Sequence, residues 1–194
     1  MRTEIQSELQ SSARILEEFY KDDNNLYAIE IASQQMVACL HNGGKIIACG
    51  NGGSLCDAMH FAEELAGKFR DLRRPLPAIA ITDPSYLSCV SNDVGFESVY
   101  SRFVEAFAKQ GDLVLGISTS GNSQNVVNAL QSAKKMGAKT VALTGNGGGA
   151  LAEICDHEVR VNHFGYADKI QEVHIKVIHI FISLIEKFTI DHAS

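Results

Sequence analysis

Short apolar runs recur along this chain, and each empties into a polar or glycine-rich loop before a helical pattern begins. Residues 45–49 (KIIAC) open the series, apolar without alternation, as in a strand buried on both faces. They lead into Gly50-Asn51-Gly52-Gly53-Ser54, after which Ala58, Phe61, Ala62 and Leu65 recur at helical spacing. Residues 78–81, 112–117, 140–144 and 157–161 give four more strands; the second of these drains into Ser118-Thr119-Ser120-Gly121-Asn122-Ser123 and the third into Gly145-Asn146-Gly147-Gly148-Gly149. Strands that alternate with helices require a parallel sheet with right-handed crossovers. The fold class expected is therefore α/β, a five-stranded parallel sheet in the flavodoxin-like order 2-1-3-4-5. That order sets the first strand beside the third, so the two Gly/Ser-rich loops flank the switch point where such sheets bind ligands.

The remaining segments are helical. Ile5, Leu9, Ala13 and Leu16 form one stripe over 3–21, Asp22-Asp23-Asn24-Asn25 breaks the pattern, and Ile29, Ala32, Met36 and Leu40 carry a second helix over 25–42. Residues 85–109 read as one or two helices interrupted near Asn92–Gly95, and 124–136 as a helix stopped by Gly137. The closing helix, about 167–188, is apolar nearly all round, which demands burial on most sides. One sheet covers only one side, so the expected arrangement is an oligomeric bundle in which another subunit covers the rest. The chain divides as a single domain, 1–194, with N-terminal helices in 1–44, the α/β core in 45–166 and the C-terminal helix in 167–190.

Composition narrows the function. With 194 residues and 45% hydrophobic residues the chain can bury a core of its own. A net charge of -6 and no basic run beyond two residues argue against nucleic acid as a partner. Five scattered cysteines without a CxxC pair fit reduced thiols in a cytosol. The N-terminus lacks a signal-peptide core, and no segment of about 18 uncharged apolar residues is present to span a membrane. Leu55 stands where a dinucleotide fingerprint needs its third glycine, and Gly67-Lys68 is followed by Phe69 rather than Ser or Thr, so neither nucleotide loop is present.

The chemistry-bearing residues form two groups. The 118–123 loop offers four hydroxyls (Ser118, Thr119, Ser120, Ser123) and the start of a helix, a nest suited to a phosphate monoester. A helix cap needs only one such hydroxyl. At the other loop, Ser54 or Asp57 is placed to cap the helix, and His60 and Glu64 share one face a turn apart. They suit an acid/base pair, a metal site, or a solvated ion pair. His179 stands between Ile178 and Ile180 on the last helix, where a bare imidazole needs a partner; a satisfied core histidine is the bland alternative. Gln171 lies two turns earlier, about 12 Å of helix rise away, so both reach one small ligand only at full stretch unless subunits share the site.

These four stretches, Gly50–Ser54, Asp57–Glu64, Ser118–Ser123 and His163–Glu172, together resemble the phosphoheptose isomerases, a family of bacterial sugar-isomerase (SIS) domain proteins, and the likeness runs over nearly the whole chain. The resemblance implies conversion of sedoheptulose 7-phosphate to D-glycero-D-manno-heptose 7-phosphate for lipopolysaccharide heptose, by an enediol route. It implies a cytoplasmic homotetramer with sites at subunit interfaces and one zinc per subunit on His60, Glu64, Gln171 and His179. Catalytic roles fall to Glu64 and His179, as acid/base groups or as ligands alone. Substrate contacts fall to Asn51, Gly52, Gly53, Glu64, Asn92, Asp93, Ser118, Thr119, Ser120, Ser123 and Gln171. Leu55 departs from relatives that carry a polar residue there. The alternative is a non-catalytic SIS-domain sugar-phosphate sensor or replication-initiator-binding protein; such relatives tend to lose the Glu and the last-helix His, both of which stand here.

Overall fold

A computed structural model describes residues 1–189. Five parallel strands, β1 (Ile46–Gly50), β2 (Ala78–Ala80), β3 (Leu113–Ser118), β4 (Lys139–Gly145) and β5 (His157–Val161), lie in the order β2-β1-β3-β4-β5. That is the expected sequence of strands. Every residue of β1 and β3 is buried, which explains their unbroken apolar character. Register pairs Gly50 with Ile117, so the loops leaving β1 and β3 start side by side.

Helices cover both faces. On one face, the even side of β1 (Ile46, Ala48) and Leu113, Leu115 and Ile117 of β3 pack against α1 (Arg2–Lys21), α2 (Asp23–His41), α3 (Gly53–Ala66) and α8 (Ala167–Thr189). On the other, Ile47, Cys49, Val114 and Ala142 meet α4 (Pro84–Asp93), α5 (Val99–Phe107), α6 (Gln124–Lys135) and the short α7 (Gly149–Ile154). The 85–109 stretch resolves into α4, a 3-10 turn at Phe96–Ser98 and α5.

Two expectations are corrected by packing. Neither Ser54 nor Asp57 caps α3: the N-cap is Gly52, and both residues lie past it, within the helix, and are buried. The all-round apolar character of α8 does not require another subunit along most of its length. Ile170, Val173, Val177, Ile178, Phe181, Ile182 and Ile185 are buried within the chain, because α8 runs between α2 and α3 as well as over the sheet. What stays accessible is narrower: Ile180 and Phe188 on α8, and Ile5 and Leu9 on the first half of α1, whose second half is anchored by Ile15 and Phe19. Residue 190 of the expected C-terminal helix, the rest of the expected domain to 194, and His192 lie outside the described residues. Among the described residues no helix is long and apolar enough to cross a membrane, and all five cysteines are free.

Candidate active site

The site begins where β1 and β3 end. Asn51 and Asn125 exchange a reciprocal pair of amide hydrogen bonds, each Nδ2 donating to the other's Oδ1 at 2.9 Å. This ties the 50–54 loop to the first turn of α6. Tyr100 is buried beneath; its hydroxyl donates to the Gly50 carbonyl and lies 3.2 Å from Asn51 Oδ1, and burial pushes its phenol above the usual range. The Asn51 side chain is thus engaged in joining two loops. Asn125 and Tyr100 escaped the sequence reading because nothing local marks them; only the sheet order brings residues 74 and 49 positions away to Asn51.

The 118–123 loop carries four hydroxyls, and the geometry separates an anion nest from capping. Ser123 is the N-cap of α6, yet its side chain makes no capping bond; its Oγ lies 2.8 Å from Ser118 Oγ, with Ser120 Oγ 3.4 Å from Ser118. The three serine hydroxyls therefore gather beside the positive end of α6, where an anion is favoured, while the Thr119 hydroxyl makes no hydrogen bond to them. The 145–149 glycines buttress this loop from behind. A Cβ on Gly121, whose φ is +67, would sit 1.9 Å from the Gly148 carbonyl oxygen, so only glycine fits there. Asn122 completes the brace by accepting from Ala150 N at 3.0 Å.

One turn and more down α3, three of the four expected ligand residues meet. His60 Nε2 is 2.9 Å from His179 Nε2 and 3.6 Å from Glu64 Oε1. Ligands at about 2.0–2.1 Å around a tetrahedral zinc stand roughly 3.3 Å apart, so His60 is spaced from each of these two neighbours as such an ion requires, while Glu64 and His179 are not within that spacing of each other. Glu63 was not foreseen: its Oε1 lies 3.2 Å from His60 Nδ1, taking that N–H and leaving Nε2 to face the cluster. His60, Glu63 and Glu64 together form the one group of His, Cys, Asp and Glu side chains among the described residues with metal-binding spacing. Phe69 stacks on His179 with ring centroids 5.9 Å apart, and the Arg70 guanidinium lies over the Phe69 ring at 5.0 Å. Burial first, then the neighbouring His60, hold His179 below the ordinary histidine value, in its neutral form.

Gln171 is placed elsewhere. Its amide lies over Gly53, where an added Cβ would come within 2.7 Å of Nε2. Helices α3 and α8 run side by side in the same direction, so Gln171 meets the start of α3 and His179 meets its middle. Gln171 is therefore held at the phosphate-side loop, two turns from the three converging donors. Asn92 and Asp93 are exposed at the end of α4, bonded to each other at 2.7 Å, and no hydrogen bond joins them to either loop or to the cluster. Asp57, one turn before His60, is buried with Oδ2 unpaired, and burial raises its carboxyl to about 6.

Comparison with known proteins agrees with this fold. The SIS domain profile matches residues 9–145. The chain is 57% identical over 183 residues to the phosphoheptose isomerase of Vibrio cholerae, covering 94% of this chain and 96% of that one. Solved phosphoheptose isomerases from Neisseria gonorrhoeae (38% identity, TM-score 0.90, 96% and 98% of the two chains) and Francisella tularensis (37%, 0.90, 95% and 97%) superpose over nearly the full length.

Proposed function

The chain belongs to the phosphoheptose isomerase family of SIS-domain proteins, and from that premise we propose that it converts sedoheptulose 7-phosphate to D-glycero-D-manno-heptose 7-phosphate in heptose biosynthesis. The observation that carries the reading is the layout of α3. Its start follows the 50–54 loop, which the Asn51–Asn125 pair ties to the first turn of α6 next to the hydroxyl-lined loop, and His60 stands seven residues, or about 10 Å, further along the helix. Six carbon–carbon bonds of about 1.5 Å zigzag over roughly 7.5 Å, so a heptose phosphate held at C7 in the loop presents C1 and C2 to the cluster. The 118–123 hydroxyls and the first amides of α6 take the phosphate, and Gly52, Gly53, Gln171, Asn92 and Asp93 remain the proposed contacts along the sugar.

In the proposed step the Glu64 carboxylate removes a proton from C1 of the ketose and returns it to C2, through the enediol. His179, neutral, accepts the proton leaving O1 and supplies one to O2, so that one proton has moved between carbons and one between oxygens. Alternatively His60, Glu64 and His179 would hold a zinc ion, Glu64 and His179 then serving as ligands in place of their acid/base roles, while Gln171, the fourth member of the family set, is held beside Gly53 in this chain. When bound, that ion supplies Lewis acidity towards the carbonyl and diol oxygens. Glu63 fixes the His60 ring, and Phe69 fixes that of His179.

The assembly is proposed as a cytoplasmic homotetramer. Support comes from the accessible apolar surface: Ile5 and Leu9 on α1, and an 800 Å³ groove lined by Leu26, Ile29, Val37, Leu184 and Phe188. The test is turnover of sedoheptulose 7-phosphate by the purified protein and by Glu64→Gln and His179→Gln. Each substitution is expected to lower kcat by about 10²–10⁴, the span general acid–base groups contribute; near-wild-type rates in both overturn the assignment.

A further inference from the structure

Arg73 lies in the segment between α3 and β2 with its side chain 2% exposed, although arginine is among the residues least often buried. Its Nε donates to Glu186 Oε1 at 2.7 Å, Nη2 to the Glu64 carbonyl at 2.7 Å and Nη1 to the Leu65 carbonyl at 2.7 Å. Nη1 also reaches the Arg74 carbonyl at 3.2 Å. The last carbonyls of a helix have no partners within it, and a buried cation needs a counter-charge; one planar fork answers both needs at once. The two helices it joins carry the cluster. Glu64 is itself a member, one turn past His60, and Glu186 lies seven residues, two turns and the same face, beyond His179.

We propose that Arg73 is a positioning residue for the His60–Glu64–His179 cluster, a buried clamp that fixes α3 and α8 in axial register and so sets the spacing of the two imidazoles. The inference rests on the isomerase reading of that cluster. The contact of Gln171 with Gly53 pins the same helix pair two turns above, and Arg73 pins it below. The spacings at stake are 2.9 and 3.6 Å, and a displacement of about 1 Å at reacting groups can cost around 10²-fold in rate. Lysine keeps the charge but presents no fork, so it cannot span Glu186 and the two α3 carbonyls together.

The test compares Arg73→Lys and Glu186→Gln with Lys45→Met, which breaks an ion pair to Asp112 at the opposite end of the strands. Stability in urea, kcat, KM and zinc affinity of the metal-stripped protein by chelator competition are measured for each. Arg73→Lys and Glu186→Gln are expected to lose about 10–100-fold in both kcat and zinc affinity, the cost typical of outer partners of metal ligands, with KM within about threefold. Lys45→Met is expected to lose stability and keep both. Should Arg73→Lys fail to fold, Glu186→Gln, which retains shape and an acceptor oxygen, carries the test. Wild-type kcat and zinc affinity in the folded variants, or equal losses in Lys45→Met at matched stability, overturn the inference. A wild-type protein that neither turns over the heptose phosphate nor binds zinc overturns the isomerase reading, and the inference with it.

Discussion

Replacing Gly53 with alanine separates function from folding at the point where α3, Gln171 and the loop meet. An added Cβ would stand 2.7 Å from Gln171 Nε2 and 2.8 Å from Oε1, so the amide must retreat by about 0.7 Å to reach ordinary contact at 3.4 Å. The obstructing atoms are the far end of a flexible side chain, so the fold accommodates the methyl group. Gly53 is the first residue of α3, where alanine fits, and the less flexible unfolded chain adds about 0.4–1 kcal/mol of stability. Melting temperature is thus expected to hold or rise slightly. The backbone N–H at position 53 remains available to substrate, so any kinetic loss reports on Gln171. A displacement of that size predicts a fall in kcat/KM of about 10–100-fold, equivalent to roughly 1.4–2.7 kcal/mol. A double-mutant cycle isolates the cause. In a Gln171→Ala background, Gly53→Ala should cost less than about threefold, because the displaced group is gone. Equal losses in both backgrounds would refute the reasoning and assign the effect to the loop backbone.

Gly121→Ala should act on the phosphate end instead: with φ at +67 and the Gly148 oxygen 1.9 Å from the new methyl, the loop must move, and KM should rise about 10-fold or more while zinc affinity holds. Fluorescence-monitored unfolding should report a stability loss of about 1–3 kcal/mol in that variant, the cost of forcing a side chain into this backbone region. The buried His174 donates to the Thr144 carbonyl at 2.8 Å from Nε2 and is held neutral, its value lowered to about 4 by burial. The unfolded chain binds that proton between about pH 6.5 and 4 while the folded one does not, so the stability is fully present above the upper value and is lost on acidification through this window. The loss attributable to His174 is about 3 kcal/mol, and urea titrations at pH 7.5 and 4.5 should find a smaller acid loss in His174→Gln than in the wild type.

Strand order and the two ligand-facing loops were legible because parallel strands betray themselves as unalternating apolar runs, and the βαβ rule then fixes which loops adjoin. The pairing of His60 with Glu64 follows from helix periodicity alone. His179 reaching them does not; it requires α8 to lie beside α3, a tertiary fact. For the same reason Asn125, Tyr100 and Arg73 went unread: each works through a partner far along the chain, and each is unremarkable in its own neighbourhood. The burial of α8 on most sides was legible from its composition, but what covers it was not: α2 and α3 flank it within the chain, a tertiary arrangement that no local pattern announces. Gln171 illustrates the opposite case. Helix rise alone already set it about 12 Å from His179, and the structure keeps it at the loop, against Gly53.

The central claim is that one sugar phosphate bridges the hydroxyl-lined loop and the histidine–glutamate cluster. A crystal of Glu64→Gln soaked with sedoheptulose 7-phosphate, with anomalous data collected across the zinc edge, addresses both ends at once. The account predicts phosphate density among Ser118, Ser120 and Ser123, the C1–C2 end of the sugar beside His60 and His179, and a zinc-edge signal at those imidazoles in the parallel wild-type crystal. Phosphate bound away from the 118–123 loop, or a sugar whose C1–C2 end points away from His60 and His179, would contradict it.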